Sequence, residues 1–356
     1  MESRKIQKVG TSTLTVSLPK EWVKKHALDK GDSIYVSEEV DGLKLMPGEA
    51  AKEKLQRLVD EYIIQSDLCD QDKMLERLIV GNYVLGRERL QVVSEKRMTP
   101  EHIQEVRRAV QRLMGLGIIE ETTHRMLLQC SIEPVKYPIY PLLKRLYMIG
   151  TTMIREAMEG LESWDASTAD NALAREDDAD RIYWLTLRLL LSAQQNPPMI
   201  QQLGMENNFE NVGNRLVAKD LESIADLGEE IARNVRELIV EKVKVPPKIL
   251  KAFKDFSDEI LDVNEEAVAS LLTRDLRLAN RVINRGKSLV ERERRLVRLM
   301  FESTRDGHAI LLLRNILDAL VTVGNYGFSI AVVAINRYLE RPSTICKVNE
   351  KKPNLR

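Results

Sequence analysis

The amino-acid sequence predicts a mainly α-helical fold, with two three-helix bundles in tandem after a small β domain and a short α/β connector. Residues 138–347 show helical periodicity almost without interruption, and a pattern within them repeats. Within the first 47 residues, the stretch TSTLTVSLP alternates polar and apolar side chains as strands do. Aromatic residues form only 5% of the chain and charged residues 30%, a mixture typical of long amphipathic helices with charged outer faces.

The first segment, residues 1–47, predicts a β-α-β-β unit. The strict alternation in TSTLTVSLP predicts a half-buried strand, after which Pro19 opens a short helix, KEWVKKH. SIYVSEEV and LKLMP flank the Asp41-Gly42 pair, which predicts a β-hairpin. A unit this small has difficulty burying a core alone, so we expect it to dimerise.

The second segment, residues 48–137, predicts an α/β connector without a recognisable chemical motif. RLQVVS, GIIEE and RMLLQCS predict three strands, and Thr99 as N-cap before Pro100 predicts the start of a helix. A further amphipathic helix is predicted from apolar residues at helical spacing, namely Leu55, Leu58, Val59, Tyr62 and Ile63.

The third segment predicts two helical repeats, residues 138–245 and 246–347, separated by the proline pair at 246–247. WDASTADNALAREDDADRI matches TRDLRLANRVINRGKSLVER at an offset of 110 residues. LESIADLGEEIA (221–232) matches LVTVGNYGFSIA (320–331). Each copy therefore predicts three helices.

Two carboxylate pairs in the first repeat suggest a metal site. Glu176 and Asp180 are four residues apart, as are Glu222 and Asp226, so each pair lies on one face of its helix. Facing helices in bundles build metal sites from such carboxylates, which suit hard cations, iron or manganese. The alternative is two solvated acidic faces, since this spacing is common on helices.

The repeat, its linker prolines and the motifs EDDAD and LESIADLGEEIA resemble the PhoU family over about 200 residues. That family is a duplicated three-helix bundle with E(D)-x-x-x-D motifs. The resemblance implies an iron, manganese or zinc site at Glu176, Asp180, Glu222 and Asp226. Since carboxylates also suit hard cations, the predicted metal is Fe, Zn, Mn or Mg, with Asp177 and Glu229 at the periphery. It also implies regulation of phosphate uptake together with an ABC-type phosphate transporter or an associated signalling protein such as a sensor kinase.

The second repeat departs from this pattern. The positions equivalent to the four carboxylates are Gly286, Val290, Val321 and Asn325. The resemblance therefore implies one metal site in the first repeat and none in the second.

The N-terminal stretch KIQKVGTSTLTVSLPKEWVKKHALDKGDSIYV resembles the AbrB/MazE swapped-hairpin barrel, whose members form intertwined dimers and in many cases bind DNA. Residues 1–30 hold seven basic and three acidic side chains, a charge that favours contact with phosphates. Thr11 follows Gly10 where many DNA-binding members have arginine. The candidate DNA-binding residues are Arg4, Lys5, Lys8, Thr11, Ser12, Thr13, Lys20, Lys24 and Lys25.

Together these features predict a regulator that is not an enzyme. No nucleophile, triad, phosphate loop or histidine pair is visible, and a metallo-hydrolase would need a base that the carboxylate motifs lack. The alternative is an adaptor that docks on the transporter and uses its N-terminal domain only as a homodimer contact.

Several features predict a cytoplasmic protein, at most peripheral to the inner face of the membrane through a transporter. Three dispersed cysteines predict free thiols in a reducing compartment. No secretory signal follows Met1. The most apolar stretch, residues 310–335, is interrupted by Arg314, Asp318 and Asn325, which predicts a buried helix.

Overall fold

The computed structural model describes residues 3–39, 42–48 and 61–347, which form a mainly α-helical protein with a small β part at its N-terminus. The chain divides into two compact units, Met1–Glu61 and Tyr62–Arg356. The second unit contains an α/β module (residues 62–136) and the helical region (residues 139–339).

The N-terminal unit consists of two separate two-stranded antiparallel sheets and one short helix. Its elements are β1 (Gln7–Val9), β2 (Thr13–Thr15), α1 (Lys20–Lys25), β3 (Ile34–Glu39) and β4 (Gly42–Pro47). The β3–β4 hairpin confirms the predicted one, although Asp41 of its turn lies outside the described residues.

Within one chain this unit has no core, because none of its described residues is buried. Leu14 and Val16, which we expected to be half-buried, are 67% and 55% exposed, and the strand that holds Leu14 is only three residues long. On the other sheet, Val36 and Leu43 are 57% and 68% exposed. The two hairpins thus present apolar side chains that no described residue of the same unit covers.

The α/β module is a four-stranded sheet in the order β5-β6-β8-β7, in which β5 and β6 are parallel and the other pairs antiparallel. Thr99 accepts a hydrogen bond from the His102 backbone N–H, which confirms the predicted N-cap. Two 3-10 turns, Ser66–Leu68 and Pro134–Lys136, complete the module. Its elements are β5 (Tyr62–Gln65), α2 (Met74–Val84), β6 (Arg89–Val93), α3 (Pro100–Arg112), β7 (Leu116–Glu121) and β8 (Arg125–Cys130).

The helix predicted from Leu55 to Ile63 is wrong at its end, because Tyr62 and Ile63 lie in strand β5. Tyr62 pairs with Leu90, and Ile63 is 59% exposed while Ile64 is buried, the alternation of a strand. Leu55, Leu58 and Val59 lie outside the described residues.

The helical region contains two copies of one arrangement, which confirms the predicted repeat, although the middle helix of each copy is broken in two. The first copy is α4 (Ile139–Ser163), α5 (Ala166–Leu173), α6 (Glu176–Gln195), the short α7 (Met199–Gln202) and α8 (Asn208–Val240). The second copy is α9 (Pro247–Thr273), α10 (Leu276–Asn284), α11 (Gly286–Ser303) and α12 (Gly307–Leu339).

The caps of the helices repeat as well. Trp164 and Arg274 end α4 and α9 in the left-handed conformation, with φ of 58° and 54°. The next residues, Asp165 and Asp275, cap the N-termini of α5 and α10 by accepting backbone hydrogen bonds. The offset of 110 residues is therefore a repeat of local structure as well as of sequence.

Two glycines permit close packing of α4 against α8, the helix that carries Glu222 and Asp226. A Cβ added at Gly150 would lie 3.2 Å from the Ala225 nitrogen, and one at Gly228 would lie 3.0 Å from the Met153 Cβ. The absence of side chains at these glycines permits the approach.

The two repeats share one hydrophobic core, with α8 and α12 antiparallel at their interface. Asp220 accepts a hydrogen bond from Ser329 at 2.7 Å, and Asn315 donates to Asn234 at 3.0 Å. At the far end, the buried Arg337 forms an ion pair with the buried Glu210 at 3.4 Å. α12 is long and apolar enough to cross a membrane. An 18-residue segment of it has a mean hydropathy of 1.6, but 56% of that segment is buried within the protein.

Candidate metal centre and nucleic-acid interface

The structure brings the four predicted ligands onto neighbouring helices. Glu176 begins α6 and Asp180 lies one turn further, while Glu222 and Asp226 lie one turn apart on α8. Asp180 and Glu222 are buried, and Asp226 is exposed. Acidic side chains in the first turn of α6 are favoured by the positive end of the helix dipole.

These carboxylates interact with one another and with Glu229, one turn beyond Asp226 on α8. Burial, and then the charges of Asp180 and Glu229, raise the pKa of Glu176 to about 7. Partial burial and the charge of Glu222 raise the pKa of Asp226 to about 6, although water screens this exposed group. We call the set Glu176, Asp180, Glu222, Asp226 and Glu229 the acidic face.

Basic side chains offset only part of this charge. Arg112 of α3 pairs with Asp180, Lys219 with Glu222 and Arg233 with Glu229. Among the residues that the structure describes, Glu176 and Asp226 have no ion pair, and these are the two carboxylates with the strongly raised pKa values. Five carboxylates against three cations leave a local surplus of negative charge that a bound cation would relieve.

Arg112 also ties the acidic face to the α/β module, because its guanidinium lies between Asp180 of α6 and Glu76 of α2. Its Nη1 is 3.0 Å from Glu76 Oε1, and Arg108 pairs with the other oxygen of Glu76 at 3.0 Å. This contact could not be predicted from local sequence patterns, because Arg112 and Asp180 are 68 residues apart.

Arg188, two turns beyond Asp180 on α6, forms a second contact with the α/β module. Its buried guanidinium donates hydrogen bonds to the carbonyls of Tyr83, Arg87 and Gly86 at 2.6, 3.0 and 3.1 Å, where α2 ends. Trp184, between Asp180 and Arg188 on α6, packs against the cores of both the module and the helical region. The side of α6 that carries Asp180, Trp184 and Arg188 is therefore a docking face for the α/β module.

A second group of potential ligands joins α8 to α12. Glu237, Glu241 and His308 place three ligand atoms within 4.8 Å of one another, the one such group in the described part of the chain. However, His308 Nε2 faces Glu237 at 3.2 Å and Nδ1 faces Glu241 at 3.3 Å. The two ring nitrogens point to different carboxylates, the arrangement of an exposed ion-pair bridge rather than of one ion with three ligands. Sequence analysis missed this group because His308 is far from the glutamates in the chain.

The equivalent surface of the second repeat has a different character. Gly286 lies against the Phe328 ring, 3.4 Å from the position of an added Cβ, and Val290 is 45% exposed. With Val321 and Asn325 on α12, these positions offer no carboxylate.

In the N-terminal unit, all nine candidate DNA-binding residues are exposed. Arg4 donates a hydrogen bond to the Ser17 hydroxyl at 3.1 Å, which joins the segment before β1 to the residues after β2. Lys20, Lys24 and Lys25 lie on α1.

Comparison with known proteins agrees with both resemblances. Residues 7–53 match the family model for the antidote-toxin recognition protein MazE, a bacterial antitoxin, and residues 143–235 match the PhoU domain model. The second range runs from α4 into α8 and includes the whole acidic face.

The phosphate-specific transport system accessory protein PhoU homolog 1 of Thermotoga maritima is 27% identical over 166 residues, 46% of this chain and 68% of the relative. The crystal structure of PhoU from Pseudomonas aeruginosa superimposes with a TM-score of 0.49 and 17% identity, over 57% of this chain and 96% of that one. The protein thus carries a PhoU domain in its first helical repeat and a MazE-type segment at its N-terminus.

Proposed function

We propose that this protein is a regulator of phosphate uptake in which the acidic face binds a metal cation and the N-terminal unit binds DNA as a dimer. The match to the PhoU domain and the similarity to the transport accessory protein of Thermotoga maritima support regulation of phosphate transport.

The observation that carries the metal proposal is the charge surplus on the acidic face. Glu176 and Asp226 have raised pKa values and form no ion pair among the described residues, although Arg112 and Lys219 lie near enough to offset part of their charge. Carboxylate oxygens at this site suit Mg²⁺ or Mn²⁺, and Fe or Zn²⁺ as well. Glu176, Asp180, Glu222 and Asp226 would hold the ion, with Glu229 beside them, and the bound charge would favour their ionised forms.

The role in phosphate uptake is tested in cells that lack the gene. We expect such cells to take up labelled phosphate at an altered rate in phosphate-rich medium, and the wild-type gene to restore the rate. Glu222→Gln/Asp226→Asn should fail to restore it, whereas the control Glu237→Gln/Glu241→Gln, which removes two carboxylates at the C-terminal end of α8, should succeed. Uptake that does not respond to loss of the gene would contradict the proposal.

DNA binding is supported by the MazE-type match and by the exposed basic side chains of residues 4–25. Lysine contacts to phosphates release counterions, so we expect the affinity to fall steeply with salt, with a slope of about −0.9 per neutralised phosphate. Lys5→Ala/Lys8→Ala should weaken binding to all duplexes and flatten the slope. Fluorescence anisotropy with specific and random duplexes at two salt concentrations measures this.

The second candidate function is the adaptor, for which the N-terminal unit serves only dimerisation and the helical region docks on an ABC-type phosphate transporter. The exposed Leu14, Val16, Val36 and Leu43 favour a second copy as partner whether or not DNA is bound. A dimer that binds no duplex at low salt, in a protein that still alters phosphate uptake, would select the adaptor.

A further inference from the structure

The outward side of α11 carries a row of basic and apolar side chains. Lys287, Val290, Arg294, Arg298 and Phe301 follow one another at intervals of three or four residues, so they lie on one face of the helix. Val290 and Phe301 are 45% and 52% exposed, and the three basic residues are exposed as well. We call this set the basic row; Glu291, Arg295 and Glu302 border it along one side.

The repeat identifies the basic row as a docking position. At the offset of 110 residues, Val290, Arg294 and Arg298 correspond to Asp180, Trp184 and Arg188 of α6. In the first repeat those three side chains hold the α/β module through the Arg112 ion pair, core packing and hydrogen bonds to the end of α2. In the second repeat, no such module packs against the equivalent face of α11 among residues 62–347.

The charge of the basic row lacks a partner. Arg292, on the inner side of α11, pairs with Glu259 at 3.1 Å. In the part of the chain that the structure describes, Lys287, Arg294 and Arg298 take part in no ion pair. Where α6 begins with three acidic residues, α11 begins with a glycine and a lysine. The row itself therefore carries three basic side chains that are open to water.

We propose that the basic row binds an anionic lipid surface, with its basic side chains at the phosphate headgroups and Phe301 and Val290 in the interfacial layer. Charge complementarity calls for an anionic partner. The exposed apolar side chains lie among the basic ones on one face of the helix, which suits the boundary of headgroups and acyl chains, where aromatic side chains are favoured. A nucleic acid would offer phosphates to the basic side chains but no apolar environment for Phe301 and Val290.

The test is sedimentation of the full chain with vesicles, either of phosphatidylcholine alone or of phosphatidylcholine and phosphatidylglycerol in equal parts. We expect binding to the anionic vesicles only, weakened by salt. Each basic residue at an anionic surface strengthens binding by roughly fivefold, so Arg294→Gln/Arg298→Gln should lower the partition coefficient about 30-fold.

A matched control separates the basic row from overall charge. Arg145 and Arg155 of α4 are exposed and without an ion pair among the described residues, so Arg145→Gln/Arg155→Gln makes the same charge change elsewhere. This variant should bind nearly as wild type, whereas Phe301→Ser should bind several-fold more weakly to anionic vesicles. Unchanged thermal unfolding of each variant confirms that the fold is intact.

Three results would overturn the proposal. One is equal loss of binding in the two arginine variants, which would assign the effect to net charge. Another is vesicle binding that Arg294→Gln/Arg298→Gln leaves unchanged. The last is failure to bind anionic vesicles at low salt; if the same variant also lost affinity for a random duplex, the basic row would be a nucleic-acid surface instead.

Discussion

Replacement of Arg188 by methionine should loosen the α/β module from the helical region. The change keeps most of the apolar stem and removes the guanidinium, which is buried and donates to three carbonyls at distances of 2.6 to 3.1 Å. It also removes the guanidinium 4.9 Å from the centre of the Tyr83 ring.

The expected loss can be worked from these contacts. A hydrogen bond from a charged donor stabilises a protein by about 1.5–3 kcal/mol, and removal leaves its acceptors unsatisfied. The three bonds share one guanidinium, and water can reach the half-buried Gly86 and Arg87, so the sum is an upper bound. We expect Arg188→Met to lower the free energy of unfolding by about 3–5 kcal/mol. Arg188→Lys, which keeps the charge but loses the planar fork, should cost roughly half as much.

Urea unfolding measures this loss, and amide hydrogen exchange locates it. Exchange should accelerate in α2 and in strands β5 to β8, while α4 and α12 keep their protection. The control is Arg236→Met, whose surface pair with Asp170 at 2.8 Å should contribute less than about 1 kcal/mol. If Arg188→Met costs no more than this control, or if protection falls equally throughout, then Arg188 does not fasten the module.

Three further predictions concern packing, pH and assembly. Gly228→Ala should destabilise by about 1–3 kcal/mol in urea unfolding because its Cβ would crowd Met153, whereas Gly81→Ala, which meets no atom within 4 Å, should not. With a metal chelator present, the melting temperature should fall as pH rises from about 4.5 to about 7. Folding raises the pKa of Glu176 to about 7, so ionisation of this group opposes folding in that range. Calorimetry should show a flatter dependence of melting temperature on pH for Glu176→Gln. Removal of residues 1–47 should weaken self-association in sedimentation velocity, and a truncated chain that stays a tight dimer would place the contact in the helical region.

The sequence was most informative where its signals were local or repeated. Asp165 and Asp275 were aligned by their motifs, and both cap equivalent helices. The i, i+4 spacing placed Glu176 with Asp180, and Glu222 with Asp226, on single faces because the helical period is fixed.

Long-range contacts could not be predicted in this way. Arg112 and Arg188 are ordinary helical arginines in the sequence, and only the docking of the α/β module turns one into a partner of Asp180 and the other into a cap for α2. The error at Tyr62 and Ile63 has a similar origin: a three-residue apolar run fits either a helix or a strand, and pairing with β6 decides.

Metal content tests the central claim most directly. The protein should be purified without chelator, incubated with Mn²⁺, Zn²⁺ or Fe²⁺, desalted, and analysed by mass spectrometry of the metal per chain. We expect the wild type and the control Glu237→Gln/Glu241→Gln to retain metal, and Glu222→Gln/Asp226→Asn to lose it. Equal metal in all three proteins, or loss only in the control, would contradict a metal centre on the acidic face.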